Sequence, residues 1–148
     1  MEIRSMTLSD VGEVAELDKI CFSIPWSQQA FTDEMENPIA VYFVAAENEK
    51  LIGYGGFWQA ADEGDITNIA VLPEYRRCGV GSEILKKLVN RAMSMGLVQL
   101  NLEVRKGNKP ARGLYSKFGF EPIGERKRYY SDNNEDAVIM AKRLNTDE

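Results

Sequence analysis

Between Val41 and Val71 three apolar runs follow one another with only short polar breaks, and the spacing then becomes helical between Val80 and Met93. A chain that lays down neighbouring strands in hairpins and then passes through strand, helix and strand must build a mixed sheet. Residues 41–47 and 51–59 flank Asn48-Glu49-Lys50, a polar break suited to an antiparallel hairpin. Residues 65–71 form the next strand, ended by Pro73. Val80, Ile84, Leu85, Leu88, Val89, Ala92 and Met93 make an amphipathic stripe that Gly96 closes. Residues 97–104 return to alternation.

The flanks complete the pattern. Residues 1–5 read as a short strand, and Thr7 with Asp10 caps a helix carrying Leu8, Val11, Val14, Ala15, Leu17 and Cys21. Residues 22–26, with Pro25, form a loop; Ser27 caps a short helix bearing Phe31 and Met35, which Asn37-Pro38 ends. Asn108 and Pro110 open a fourth helix with Ala111, Leu114, Tyr115 and Phe118 on one face and Gly119 at its end. Strands over residues 120–128 and 136–142 follow, and Ser131-Asp132-Asn133-Asn134 reads as an ordinary turn without assigned contacts. The expected order is β-α-α-β-β-β-α-β-α-β-β. It predicts an α/β fold of mixed α+β type: one domain over residues 1–148, a mixed sheet and helices on both faces.

Composition narrows the chemistry. The chain has no histidine, which removes Ser-His-Asp and Cys-His catalysis, His-ligated zinc and His general bases. Cys21 and Cys78 are too few for a disulfide framework or a cysteine metal cluster. The longest apolar run, residues 39–46, is far short of the roughly 20 residues a membrane helix needs. Residues 1–4 lack the features of a signal peptide, so a cytoplasmic protein away from membranes is expected. The net charge of −5 hides a division: residues 1–75 carry 14 acidic and three basic side chains, residues 76–148 nine and 15. Such polarity suits two binding surfaces of opposite sign, or simply a solvated surface. The acidic balance, with pI near 4.9, argues against a nucleic-acid partner.

Three segments could carry chemistry. Arg76-Arg77-Cys78-Gly79-Val80-Gly81 joins a strand to a long helix, where free amides and the positive end of the helix dipole favour an anion. The alternative is a tight turn with two solvated arginines. It lacks the Walker lysine, and a dinucleotide fingerprint fails at the third glycine position, which is Ile84. In the strand 97–104, Gln99, Asn101 and Glu103 share one face, which implies either a wet cleft or an edge strand. Tyr115 falls on an apolar stripe and by periodicity is core, although a phenol that reached a cleft could donate a proton.

Together these segments resemble the GNAT superfamily of acetyl-CoA-dependent N-acetyltransferases. Arg76, Gly79 and Gly81 match its Q/R-x-x-G-x-G/A phosphate signature. Within it the chain looks most like the RimI type, the ribosomal-protein N-terminal alanine acetyltransferases. The matches include Phe22-Ser23-Ile24-Pro25-Trp26-Ser27, Asn68-Ile69-Ala70-Val71, Leu102-Glu103-Val104-Arg105, Leu114-Tyr115 and Tyr129-Tyr130.

The resemblance implies a GNAT-like, mostly antiparallel sheet, and direct acetyl transfer from acetyl-CoA to a protein N-terminus, without a metal. It implies Glu103 as general base, Tyr115 as the acid for the departing thiolate, and Asn108 beside the pantetheine arm. It places the main chain of Ile69, Ala70 and Val71 along pantetheine. The amides of Arg76, Arg77, Cys78, Gly79, Val80, Gly81 and Ser82 would surround the pyrophosphate, with Lys109 and Arg112 as further phosphate contacts. Ile24, Pro25, Trp26, Tyr129 and Tyr130 would wall the peptide groove. An α-amino group near pKa 7.8 needs about 3.5 kcal/mol less than a lysine near 10.4 to lose its proton, which favours a peptide N-terminus for a single carboxylate base. The acidic half would suit a basic ribosomal-protein tail. Acetylation of a lysine side chain or small amine, and a non-catalytic acyl-CoA or dinucleotide module, remain the alternatives.

Overall fold

A computed structural model describes residues 1–144. Its strands are β1 (Glu2–Ser5), β2 (Ala40–Glu47), β3 (Lys50–Ala60), β4 (Glu63–Val71), β5 (Gln99–Arg105), β6 (Glu121–Arg126) and β7 (Ala137–Arg143). Its helices are α1 (Val11–Cys21), α2 (Gln28–Met35), α3 (Val80–Ser94) and α4 (Lys109–Lys117). The element order agrees with the periodicities. Seven strands form one sheet in the order β1-β2-β3-β4-β5-β7-β6, antiparallel except between β4 and β5. One parallel pair is too little for a doubly wound dinucleotide fold, so that reading falls.

Local chemistry explains the main elements. Asn48 and Glu49 both take left-handed φ values, 52° and 65°, giving the two-residue hairpin whose twist matches its strands. Asp10 Oδ2 accepts the Thr7 amide at 2.8 Å, and Ser27 Oγ accepts the Ala30 amide at 3.1 Å, so both caps occur. The Thr7 cap opens a short 3₁₀ turn, Leu8–Asp10, ahead of α1; Leu8 is therefore off the helical stripe and exposed. Met93, near the end of α3, is also exposed rather than part of the buried face.

Alternation along β3 sets the layers. Tyr54 points to one side, where its ring meets Phe31 of α2 edge-on at 5.5 Å and its hydroxyl reaches Asp18 of α1. Gly53 and Gly55 face the other side, where a methyl group would contact Ile84 of α3. Helices therefore cover both faces. Phe31, Tyr54, Ile84, Leu85 and Leu88 are fully buried, each apolar side chain contributing about 1.5–3 kcal/mol. The register shifts between Gly56 and Phe57. Gly56 has to be glycine because a Cβ would run into the Tyr42 ring laid across it.

Candidate active site

β4 and β5 pair only from Glu63 opposite Gln99 to Asp65 opposite Asn101. Beyond that point β4 follows β3 and β5 follows β7, so the two parallel strands separate. A cleft of about 400 Å³ opens between them. β5 is thus an interior strand, and of its polar row only Glu103 enters the cleft. Asn101 Nδ2 donates to Glu63 Oε1 at 2.9 Å and Asp65 Oδ1 at 3.1 Å, which ties that end of the row to β4.

The cleft brings together residues distant in sequence. Ile69, Glu103, Asn108 and Tyr115 line it with the walls Ile24, Trp26, Tyr129 and Tyr130. Pro25 is exposed and outside the lining, although it belongs to the same loop. Ala70 is buried and Val71 half-buried. Asn108 Oδ1 caps α4 by accepting the Ala111 amide at 3.2 Å. A larger hollow, about 740 Å³, lies by β1 and β2, lined by Glu2, Arg4, Asp10, Glu13, Glu47 and Glu49, and none of the cleft residues lines it. Much of the acidic excess therefore sits away from the cleft.

Glu103 Oε2 accepts Arg126 Nε at 2.8 Å, while Oε1 has no hydrogen-bond partner among the described residues. The Tyr115 ring packs edge-on against Phe120 at 5.7 Å, so the periodicity was right about its body. Every fully buried polar side-chain atom among the described residues has a partner, and the Tyr115 hydroxyl has none; it therefore opens to the cleft. Burial, and secondarily Tyr130, hold this phenol above its ordinary pKa, so it keeps its proton at neutral pH. The pair offers an ionisable carboxylate and a protonated phenol in one cleft, as general base and acid require.

The acetyltransferase (GNAT) family profile matches residues 11–120. The chain is 43% identical over 97% of its length, and 95% of the other's, to a Bacillus subtilis protein provisionally named as a [ribosomal protein bS18]-alanine N-acetyltransferase. It is 32% identical over 94% of its length, and 95% of the other's, to the Escherichia coli K12 protein of that name. The crystal structure of the ribosomal-protein-S18-alanine N-acetyltransferase from E. coli superposes with a TM-score of 0.89 at 31% identity, covering 97% of this chain and 93% of that one. The chain belongs to the GNAT family.

Acetyl-CoA is the acyl donor of GNAT enzymes, and the loop before α3 presents uncapped helix amides of the kind that suit an anion such as its phosphates. Arg77 and Gly79 both have left-handed φ, 65° and 84°. The first main-chain bond of α3 runs from Glu83 to Gly79 at 3.0 Å, and no side chain caps the helix, so the amides of Val80, Gly81 and Ser82 start it without helical partners. A Cβ on Gly79 would meet nothing within 4 Å, which makes its conformation the reason for glycine. Arg77, Cys78 and Gly79 are exposed, whereas the Val80 side chain belongs to the core and only its main chain faces outward chemistry. Arg76 Nε folds back on Val71 O at 2.9 Å, so that carbonyl is already occupied, and Arg112 Nη1 donates to Lys106 O at 2.8 Å. Lys109 is exposed at the start of α4.

Several residues of this GNAT cleft escaped the sequence reading. Asp18 is 1% exposed, lines the cleft, and accepts the Trp26 amide at 2.8 Å and the Tyr54 hydroxyl at 2.6 Å. Burial raises its carboxyl pKa against the lowering effect of these two donors. Its signal was present: four residues after Val14, it is a carboxylate on the apolar stripe of α1. The turn at residues 131–134 carries no contact that its composition assigns, and in the structure Asp132 Oδ2 accepts Ser23 Oγ at 2.5 Å and Arg105 Nη2 at 2.8 Å. Nothing local marks that connection, because its ends are 109 residues apart.

Proposed function

We propose that the enzyme acetylates the N-terminal α-amino group of a ribosomal protein, with the N-terminal alanine of bS18 as its substrate, using acetyl-CoA. The observation that carries this reading is the entry of Glu103 and the Tyr115 hydroxyl into one cleft between aromatic walls. The names of the Bacillus and Escherichia relatives, which match almost the whole chain, supply the substrate class. When bound, acetyl-CoA supplies an acyl group activated as a thioester.

Ile24 and Trp26 on one side, with Tyr129 and Tyr130 on the other, hold the peptide's first residues. Glu103, through a water at its free Oε1, takes the proton lost by the attacking amine as the C–N bond forms. Tyr115 gives its proton to the sulfur as the C–S bond breaks. The amides of residues 80–82 and the basic half of the chain hold the phosphates. The acidic groups near β1 and β2 act on a basic tail at range, by steering rather than contact.

The test uses the folded enzyme, labelled acetyl-CoA and a peptide of alanine followed by basic residues. Label on the α-amino group, located by fragment mass spectrometry, is the expected result. Label confined to a lysine side chain would replace the reading with a lysine acetyltransferase. Acetyl-CoA binding without transfer to peptide, lysine or small amine would favour a binding module.

A further inference from the structure

Arg105 ends β5 two residues after Glu103 and lines the same cleft. Its guanidinium carbon lies 4.0 Å from the centre of the Tyr130 ring. Nη2 donates to Asp132 Oδ2 at 2.8 Å; Nη1 donates to Asn133 Oδ1 at 3.2 Å and Glu135 Oε1 at 3.3 Å. The same Asp132 oxygen accepts Ser23 Oγ from the opposite loop at 2.5 Å. One side chain thus touches one wall directly and reaches the other through a single carboxylate.

We propose that Arg105 is a positioning residue that sets the spacing of the acceptor groove by fixing Tyr130 and, through Asp132, the Ser23–Trp26 loop. This rests on the reading of the cleft as a peptide groove. The planar guanidinium is what the arrangement needs, because it stacks on a ring and presents two donor edges at once. A lysine would retain the charge and lose both the stack and the fork. The side chain is about 29% exposed, so a charge-only role would be weakened by solvent. Glu135 also accepts the Gly107 amide at 2.8 Å, so the network borders the Asn108 cap, and the donor site serves as the comparison.

Arg105→Lys, Arg105→Ala and Asp132→Asn are compared with wild type by steady-state kinetics and by hydrogen exchange of the free enzymes. We expect the peptide KM to rise about tenfold in each, the scale of one lost charge-assisted hydrogen bond, with acetyl-CoA KM within about twofold. The Arg105→Ala and Asp132→Asn effects should be strongly non-additive in the double variant. The Trp26 amide should exchange several-fold faster in Arg105→Lys. Full retention of peptide KM by Arg105→Lys, additive effects, or a KM rise confined to acetyl-CoA would overturn the proposal. Wild-type enzyme inactive on the peptide would remove the functional reading instead; the exchange measurement would then decide the role of Arg105 alone, with unchanged Trp26 protection counting against it.

Discussion

Arg126 of β6 reaches across β7 to donate its Nε to Glu103 of β5 at 2.8 Å, so the carboxylate proposed as base is an ion-pair partner in the free enzyme. The Arg126 side chain is about 56% exposed and that of Glu103 about 31%, and such pairs contribute little to stability. The pair therefore orients the base without locking it. Glu103→Gln is expected to lower turnover roughly 10²-fold to 10⁴-fold, with acetyl-CoA affinity and melting temperature nearly unchanged. The deficit should shrink above about pH 8, where an α-amine is already neutral. Undiminished turnover at pH 7, followed as CoA release, would exclude Glu103 as the base.

Tyr115→Phe retains the ring that packs on Phe120 and removes only the hydroxyl. Its thermal stability should therefore match wild type. Turnover should fall, by less than in Glu103→Gln, because a thiol with a pKa near 8.5 is a tolerable leaving group without help. Wild-type turnover in the folded variant would return Tyr115 to a purely structural role.

Gly79→Ala puts a Cβ into open space but requires a left-handed backbone, which costs about 1–2 kcal/mol. The variant should melt lower and gain less stabilisation from acetyl-CoA than wild type does. NAD should stabilise neither protein. Equal acetyl-CoA shifts in wild type and variant would show that the loop conformation is immaterial to the donor.

Asp10 is buried and accepts Arg4 Nη1 on Oδ2 at 2.8 Å and Nη2 on Oδ1 at 3.0 Å. The Arg4 hydrogen bond holds its carboxyl below the ordinary value near 3.8, against the opposing effect of burial. A depressed folded pKa gives stability that is present above the unfolded value and lost as pH falls through the folded one. Asp10→Asn should thus cost about 1–3 kcal/mol at pH 7, a difference that narrows below about pH 4. Urea melts at pH 7 and pH 3 provide the check, and a constant difference would contradict the linkage.

Asp18 has the opposite sign, since burial raises its folded pKa. Its contribution is complete below the unfolded value and declines as pH rises through the folded one. Asp18→Asn would set an amide donor against the Trp26 amide or the Tyr54 hydroxyl. We expect destabilisation and a raised peptide KM, while Tyr54→Phe, which leaves the Trp26 contact, should be milder. Equal effects of the two would place the importance of Asp18 in the core rather than in the loop.

The sequence by itself determined what depends on near neighbours. Alternation and helical spacing specify the strands and helices, Asn48-Glu49 makes the hairpin turn, Thr7 and Ser27 start helices, and Gly79 supplies the left-handed residue before α3, each within a few residues of chain. Glu103 was legible because a carboxylate closed the polar face of a strand, and the Tyr115 ring because it lay on a helical stripe. Only the tertiary structure decided that β4 and β5 separate after Asp65, since the length of a strand pair depends on which partner each strand follows next. That separation turns one end of the polar row into a cleft and brings the Tyr115 hydroxyl to it. The Glu103–Arg126 pair and the Arg105–Asp132–Ser23 bridge depend likewise on the β5-β7-β6 order and on closure across the sheet. Contacts between residues 23 and 109 positions apart leave no periodic trace in the chain, because no local conformational preference is altered by a partner so distant.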